Sequence, residues 1–196
     1  MEPGHIIFLN GASSSGKTSL LHAFQARLEE TYLEFGLDKF IWMLPKRYFY
    51  QPLWDDVLGK ADMAGEMGHQ LVYGMHRAIQ TLADCGLNLL VDHVLVEPAW
   101  LLDCALRFSD YPAYLIGVYC DLDILEQREQ ARKDRTLGQA RKQFARVHAH
   151  GVYDLVVDSG KHTVEENVDQ ILAYINTQPQ PTAFKDLSQQ FAPGKA

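Results

Sequence analysis

The stretch Gly4-His5-Ile6-Ile7-Phe8-Leu9-Asn10-Gly11-Ala12-Ser13-Ser14-Ser15-Gly16-Lys17-Thr18 decides how this 196-residue chain is read. Ile6 to Leu9 are four consecutive apolar residues bounded by turn formers, the pattern of a parallel strand covered on both faces. Gly11 to Thr18 fit G-x-x-x-x-G-K-[ST], a P-loop. Ala12, Ser13, Ser14 and Ser15 are small, so successive backbone N–H groups can curl around phosphate oxygens, and Gly16 permits a backbone conformation that a Cβ would penalise. In this pattern Lys17 reaches the β- and γ-phosphates and the Thr18 hydroxyl sits on Mg²⁺. Ser19 completes the cofactor-binding set as the chain turns helical. Leu20, Leu21, Phe24 and Leu28 then follow at helical spacing, so a helix N-terminus would add its partial positive charge at the phosphates.

Downstream, the first helix is expected to fade near Glu34, with Gly36 ending it and the following apolar residues, up to Leu44, making a short second strand. Asp38 stands at that junction. Residues 45–62 are an irregular, aromatic-rich loop region containing Pro45 and Pro52. A helical pattern returns through Met67, Leu71, Met75, Ile79 and Leu82 and closes at Gly86. Leu87 to Val91 read as a buried strand ending in Asp92 and His93, the shape of a Walker B element whose carboxylate holds Mg²⁺. Pro98 opens another helix, Ala113 to Tyr119 form a fourth strand, and Asp121 caps a helix that runs into a basic stretch from Arg128 to Arg146, broken at Gly138. A fifth strand over Val152 to Val157 and a helix over Val164 to Ile175 complete the pattern.

Strands alternating with helices predict an α/β fold, a five-stranded parallel sheet flanked by helices, with ligands at the carboxyl ends of the strands. Residues 1–177 read as one domain with a lid near residues 128–146. The polar segment 178–196 reads as a flexible tail, although Phe184, Leu187 and Phe191 have the spacing of a short docking helix.

Composition bounds the partners. Apolar residues make up 47% and charged residues 22% of the chain, ordinary values for a soluble globular protein. A net charge of −7 argues against nucleic acid as the main partner. Cys85, Cys104 and Cys120 form no C-x-x-C pair and read as reduced, buried thiols. No stretch reaches the roughly 18 apolar residues of a membrane span, and the N-terminus enters the first strand at once. The expectation is a soluble, cytoplasmic protein without membrane or nucleic-acid partners.

A P-loop alone does not separate a kinase from a GTPase or a nucleotide-dependent regulator. No N-K-x-D element for guanine is present. A phosphotransferase needs a group to position an acceptor hydroxyl, a metal carboxylate, and cations near the transferring phosphoryl. Asp38 can serve as general base, its competing role being turn formation around Gly36. Arg132 and Arg135, spaced R-x-x-R before Gly138, suit a lid that closes over phosphates and excludes water, with Arg128 a third cation one turn earlier. His148 and His150 lack partners at metal-ligand spacing.

Together these motifs carry a resemblance. The P-loop, Phe35-Gly36-Leu37-Asp38, Leu89-Leu90-Val91-Asp92-His93, Gly117-Val118-Tyr119-Cys120-Asp121, Arg128-Glu129-Gln130-Ala131-Arg132-Lys133-Asp134-Arg135 and Val152-Tyr153-Asp154-Leu155-Val156-Val157-Asp158 resemble chloramphenicol phosphotransferase and its relatives over residues 4–176. The resemblance implies a P-loop kinase fold, ATP and Mg²⁺ as cosubstrates, and phosphorylation of a hydroxyl on a small molecule. It places Asp38 at the general-base position, Lys17 and Thr18 at the phosphate and Mg²⁺ positions, and Arg132 and Arg135 in the lid. The chain departs from the family at His93, where a second acid is common, and in the segment from Trp42 to Asp56, which is expected to shape the acceptor pocket. Chloramphenicol is thus one acceptor among several. The competing readings are a kinase of a nucleoside or a nucleic-acid 5′-hydroxyl, and a nucleotide-binding regulator without catalysis.

Overall fold

Strand β1 (Ile6–Asn10) is buried at every position because it lies in the middle of the sheet, between β3 (Asn88–His93) and β4 (Ala113–Tyr119). The computed structural model describes residues 2–50, 57, 64–131, 138–178 and 180–191. Among these, β2 (Tyr32–Gly36) and β5 (Leu155–Asp158) are the sheet edges, giving the order β2-β3-β1-β4-β5 with every pairing parallel. Parallel pairing requires crossover connections, and these are the helices that cover both faces.

Side-chain alternation along β1 divides the core. Ile6 and Phe8 point toward α3 (Glu66–Asp84), α4 (Pro98–Phe108) and α8 (Ala183–Gln190), whereas Ile7 and Leu9 point toward α1 (Lys17–Arg27) and α7 (Val164–Thr177). On the first face the rings of Phe8, Phe108 and Phe184 meet at centroid separations of 5.1, 5.1 and 5.9 Å. Helices α5 (Leu122–Ala131) and α6 (Gln139–Val147) pack together beside the phosphate loop, around Leu125, Ala140 and Val147.

Three boundaries differ from the sequence reading. Helix α1 ends at Arg27, and the second strand is Tyr32–Gly36 rather than the residues after Gly36. As an edge strand β2 is only half covered, so Glu34 interrupts its apolar pattern and hides it among helix formers. Residues Leu37–Ile41 form the short helix α2, which brings Asp38 into a helical first turn. Strand β5 starts at Leu155, after Asp154 has turned its carboxylate to accept the N–H groups of Leu115, Thr182 and Ala183.

Residues 183–190, expected in a flexible tail, form α8. Ala183, Phe184 and Leu187 fall on one helical face and are buried in the core, and Asp154 caps the helix start by accepting two of its otherwise unpaired N–H groups. Cys104 and Cys120 are buried, but Cys85 at the end of α3 is exposed. No helix among the described residues is long and apolar enough to cross a membrane.

Because Phe184 is 2% exposed and Phe191 is 40% exposed, truncating them should differ sharply. Phe184→Ala is expected to cost about 3–5 kcal/mol and Phe191→Ala at most about 0.5 kcal/mol, measured as the shift in urea midpoint at constant m-value.

Candidate active site

The loop between β1 and α1 has the conformation its residues allow. Gly16 sits at φ 85° and Ser14 at φ 65°, the latter an unusual position for a side-chain-bearing residue. A Cβ on Gly11 would lie 2.5 Å from the Val118 carbonyl oxygen, so only glycine lets the loop lie this close to β4. The hydroxyls of Ser13, Ser14 and Ser15 are buried without a hydrogen-bond partner among the described residues. Unpaired buried polar groups are costly, and a cradle that presents them together fits oxygen atoms of a phosphate chain.

Lys17 is 6% exposed, and its ammonium donates to the carbonyls of Gly11 and Ala12 at 2.9 and 3.0 Å. It also lies 3.6 Å from Asp92 Oδ1. The Thr18 hydroxyl donates to Asp92 Oδ2 at 2.9 Å. Asp92 stands opposite Leu9 in the β1–β3 pairing, one residue before the loop begins to turn, which brings its carboxylate to the start of α1. A hydroxyl and a carboxylate side by side are hard oxygen donors suited to Mg²⁺.

One cleft is lined on one side by Ser13, Ser14 and Gly16 to Ser19 and on the other by Glu34 to Lys39, with Asp92 between them. Asp38 is therefore in the same cleft as the loop, carried there by α2. The register explains this, since Gly36 pairs with Asp92 and α2 starts at the next residue. Val94, Val96 and Trp100 form an apolar wall, and Gln139 and Gln143 reach in from α6. The Gln143 carbonyl oxygen accepts the Ser13 N–H at 2.6 Å. Neither glutamine was legible as a site residue, because two polar residues four apart on a basic helix look like a solvated face. Gly11 and Ala12 do not line the cleft and act through the backbone beneath it.

Arg128 belongs to a second, adjoining pocket with Ser14, Gly16, Ser19, Ser159 and Asn167. Its guanidinium donates to the Ser159 carbonyl at 2.8 Å and to the Ser159 hydroxyl at 3.3 Å, and that hydroxyl donates to the Ser15 carbonyl at 2.6 Å. Arg132 and Arg135 lie outside the described residues, as does Trp54. Trp42 does not line the cleft: it is 72% exposed and packs on Phe49 at 4.9 Å. Tyr48 instead packs against the core cluster that includes Phe8 and Met75.

His93 is fully buried and completes a chain of hydrogen bonds joining three elements. Val94 N–H donates to His93 Nδ1 at 2.7 Å, His93 Nε2 lies 2.8 Å from His76 Nε2, and His76 Nδ1 lies 2.7 Å from Asp103 Oδ2. Donor logic fixes the protons. A bare Nδ1 on His93 puts its proton on Nε2, directed at His76, whose own proton then sits on Nδ1 facing Asp103. Burial pushes both imidazoles below their ordinary value of 6.5, keeping them neutral. With Cys104 they bring three metal-ligating atoms within 4.8 Å of one another. The His93 atom facing that point carries a proton rather than a lone pair, so the trio is a hydrogen-bonded tie between β3, α3 and α4. His148 Nδ1 pairs with the Tyr153 hydroxyl at 2.7 Å, and burial, followed by His150 and Lys17, lowers its pKa to about 4.

The chain is similar to known proteins in sequence and in fold. Residues 4–176 match the model of the family described as chloramphenicol phosphotransferase-like protein. Two relatives, from Mycobacterium tuberculosis strains CDC 1551 / Oshkosh and ATCC 25618 / H37Rv, carry the provisional name O-phosphotransferase. Each is 31% identical over 204 residues, spanning 97% of this chain and 91% of the relative. A sugar kinase from Janibacter sp. HTCC2649 shares the fold at a TM-score of 0.69 with 14% identity, covering 90% of this chain and 97% of that one. The APS kinase of Mycobacterium tuberculosis, in complex with AMPPNP and APS, does so at 0.65 with 15% identity, covering 90% and 99%. The gluconokinase of Sinorhizobium meliloti 1021 does so at 0.63 with 13% identity, covering 97% and 99%.

The depressed histidines set an acid limit on stability. Below about pH 6.5 the unfolded chain takes up protons that folded His76, His93, His148 and His150 reject. Stability is therefore complete above that pH and declines as pH falls toward about 4, the folded value of His148. Urea midpoints measured from pH 7.5 to 5 should fall on acidification, and His148→Gln should flatten the decline.

Proposed function

The chain belongs to the chloramphenicol phosphotransferase-like family, and on that premise we propose that it transfers the γ-phosphoryl group of ATP to a hydroxyl of a small molecule. The observation that carries this reading is the shared cleft, whose walls include both Ser13, Ser14 and Gly16 to Ser19 of the phosphate loop and Asp38. An alcohol bound there stands between a proton acceptor and the end of a phosphate chain.

In this reading Asp38 takes the hydroxyl proton as the acceptor oxygen attacks the γ-phosphorus. The bond from that phosphorus to the bridging oxygen breaks, and ADP leaves with the electron pair. The loop N–H groups and serine hydroxyls hold the phosphates, and Lys17 exchanges its loop carbonyls for phosphate oxygens as nucleotide enters. Thr18 and Asp92 would hold Mg²⁺, which when bound offsets the negative charge of the β- and γ-phosphates. Arg128, beside Ser14, Gly16 and Ser19, contributes to the nucleotide site, and Arg132 and Arg135 are assigned to the lid. Phe35, Leu37, Val94, Val96 and Trp100 give the acceptor side an apolar lining, which suits an alcohol with an apolar body. Chloramphenicol is one such candidate. Outside the lid stretch the sequence offers no basic track to recommend a nucleic-acid acceptor, and the net charge is −7.

The test is ATP consumption across a panel of hydroxylated antibiotics, nucleosides and sugars. Asp38→Asn should lower acceptor-dependent kcat about 10²- to 10⁴-fold while leaving nucleotide binding near the wild-type level. Tight ATP binding without turnover on any acceptor would favour the regulator instead. Lys17→Ala should weaken nucleotide use whichever acceptor is found, and undiminished activity in that variant would mean that the loop does not hold the phosphates.

A further inference from the structure

Gln143 occupies a donor that the phosphate loop needs for its ligand. Its side-chain carbonyl accepts the Ser13 N–H at 2.6 Å, inside the cleft that Ser13 lines. P-loops bind phosphates through successive backbone N–H groups, and Ser13 is the third residue of this one. A phosphate oxygen and the Gln143 oxygen both require that N–H, and two acceptors on one donor repel each other.

The contact is built into the fold because α6 is anchored at its base. Glu129, 2% exposed, accepts the N–H groups of Gly138 and Ala140 at 2.7 and 2.9 Å, filling donors that the first turn of α6 leaves open. Arg141 grips Glu126 through two hydrogen bonds of 2.6 and 2.9 Å. These bonds fix α6 to α5, so that Gln143, one turn beyond Gln139, faces the loop. The three loop hydroxyls beside the contact have no hydrogen-bond partner among the described residues.

We propose that Gln143 is an internal competitor for nucleotide: its amide oxygen closes the phosphate loop in the empty protein and must be displaced when the phosphates enter. This rests on the kinase reading of the cleft. A glutamine suits the role because it is neutral and holds the N–H without the charge repulsion that a carboxylate would exert on an entering phosphate. The residue thereby sets nucleotide affinity from a helix outside the P-loop motif.

Equilibrium binding of a fluorescent N-methylanthraniloyl ATP to the full chain tests this by sign. Removing the competitor in Gln143→Ala should tighten binding about 2- to 10-fold. The nearly isosteric Gln143→Glu keeps the acceptor and adds charge, so it should weaken binding at least about 10-fold. A purely structural role for the residue predicts weaker binding in Gln143→Ala, and that result, or two variants within twofold of wild type at unchanged circular dichroism, overturns the proposal. Wild-type protein that takes up no nucleotide would instead overturn the kinase reading beneath it.

Discussion

The Asp92 carboxylate, shared between the Thr18 hydroxyl and the Lys17 ammonium, is the interaction on which the site depends. It joins the strand beside β1 to the helix that follows β1, across a loop with little secondary structure of its own. The β1–β3 register makes this possible, since a one-residue slip would turn Asp92 to the opposite face of the sheet. The register is in turn held by burial on both faces, where Phe8 and Leu9 enter different layers of the core. Hydrophobic packing thus determines where a charged group stands. All the paired strands run parallel, so their carboxyl ends gather at one edge, and Asp38 reaches the same cleft by following β2.

Asn10 supports that edge from beneath. Fully buried, it donates to the Val147 carbonyl at 3.0 Å and to the Tyr153 hydroxyl at 2.7 Å, and accepts the Leu95 N–H at 2.8 Å. One side chain at the end of β1 therefore spans from the segment after β3 to the end of α6. The His93–His76–Asp103 chain does related work on the other side of β3, tying the residue after Asp92 to α3 and α4. Both devices place polar groups in the interior only where every hydrogen bond has a geometric answer.

The sequence made the sheet and the phosphate loop legible because both are local. Four buried residues in a row, the glycine spacing and the span Ala113 to Tyr119 need no knowledge of distant neighbours, and β4 has those bounds. The edge strand β2 was missed because its signal depends on what covers it: Glu34 faces Lys39 at 3.2 Å at the rim of the cleft, and without that context Tyr32 to Gly36 resemble a helix end. For α8 the spacing was visible, but its stability comes from Asp154 and from the packing of Phe184 against Phe8 and Phe108, which no local pattern encodes. His76 and His93 were illegible for the same reason, being 17 residues apart and meaningful only as a pair.

Position 143 shows where local reading stops. A polar residue on a helix with Arg141, Lys142 and Arg146 carries no mark of function in composition or periodicity. Its significance arises from the buried Glu129, which fixes the helix start, and from the Ser13 N–H it meets in a loop whose three serine hydroxyls have no partner among the described residues. A helix anchored at its base and touching the loop at one donor can respond to whatever fills that loop, because occupying the donor breaks the contact while the base bonds remain. Such coupling requires differential contact in the filled and empty states, and a single N–H that donates to one acceptor at a time provides it.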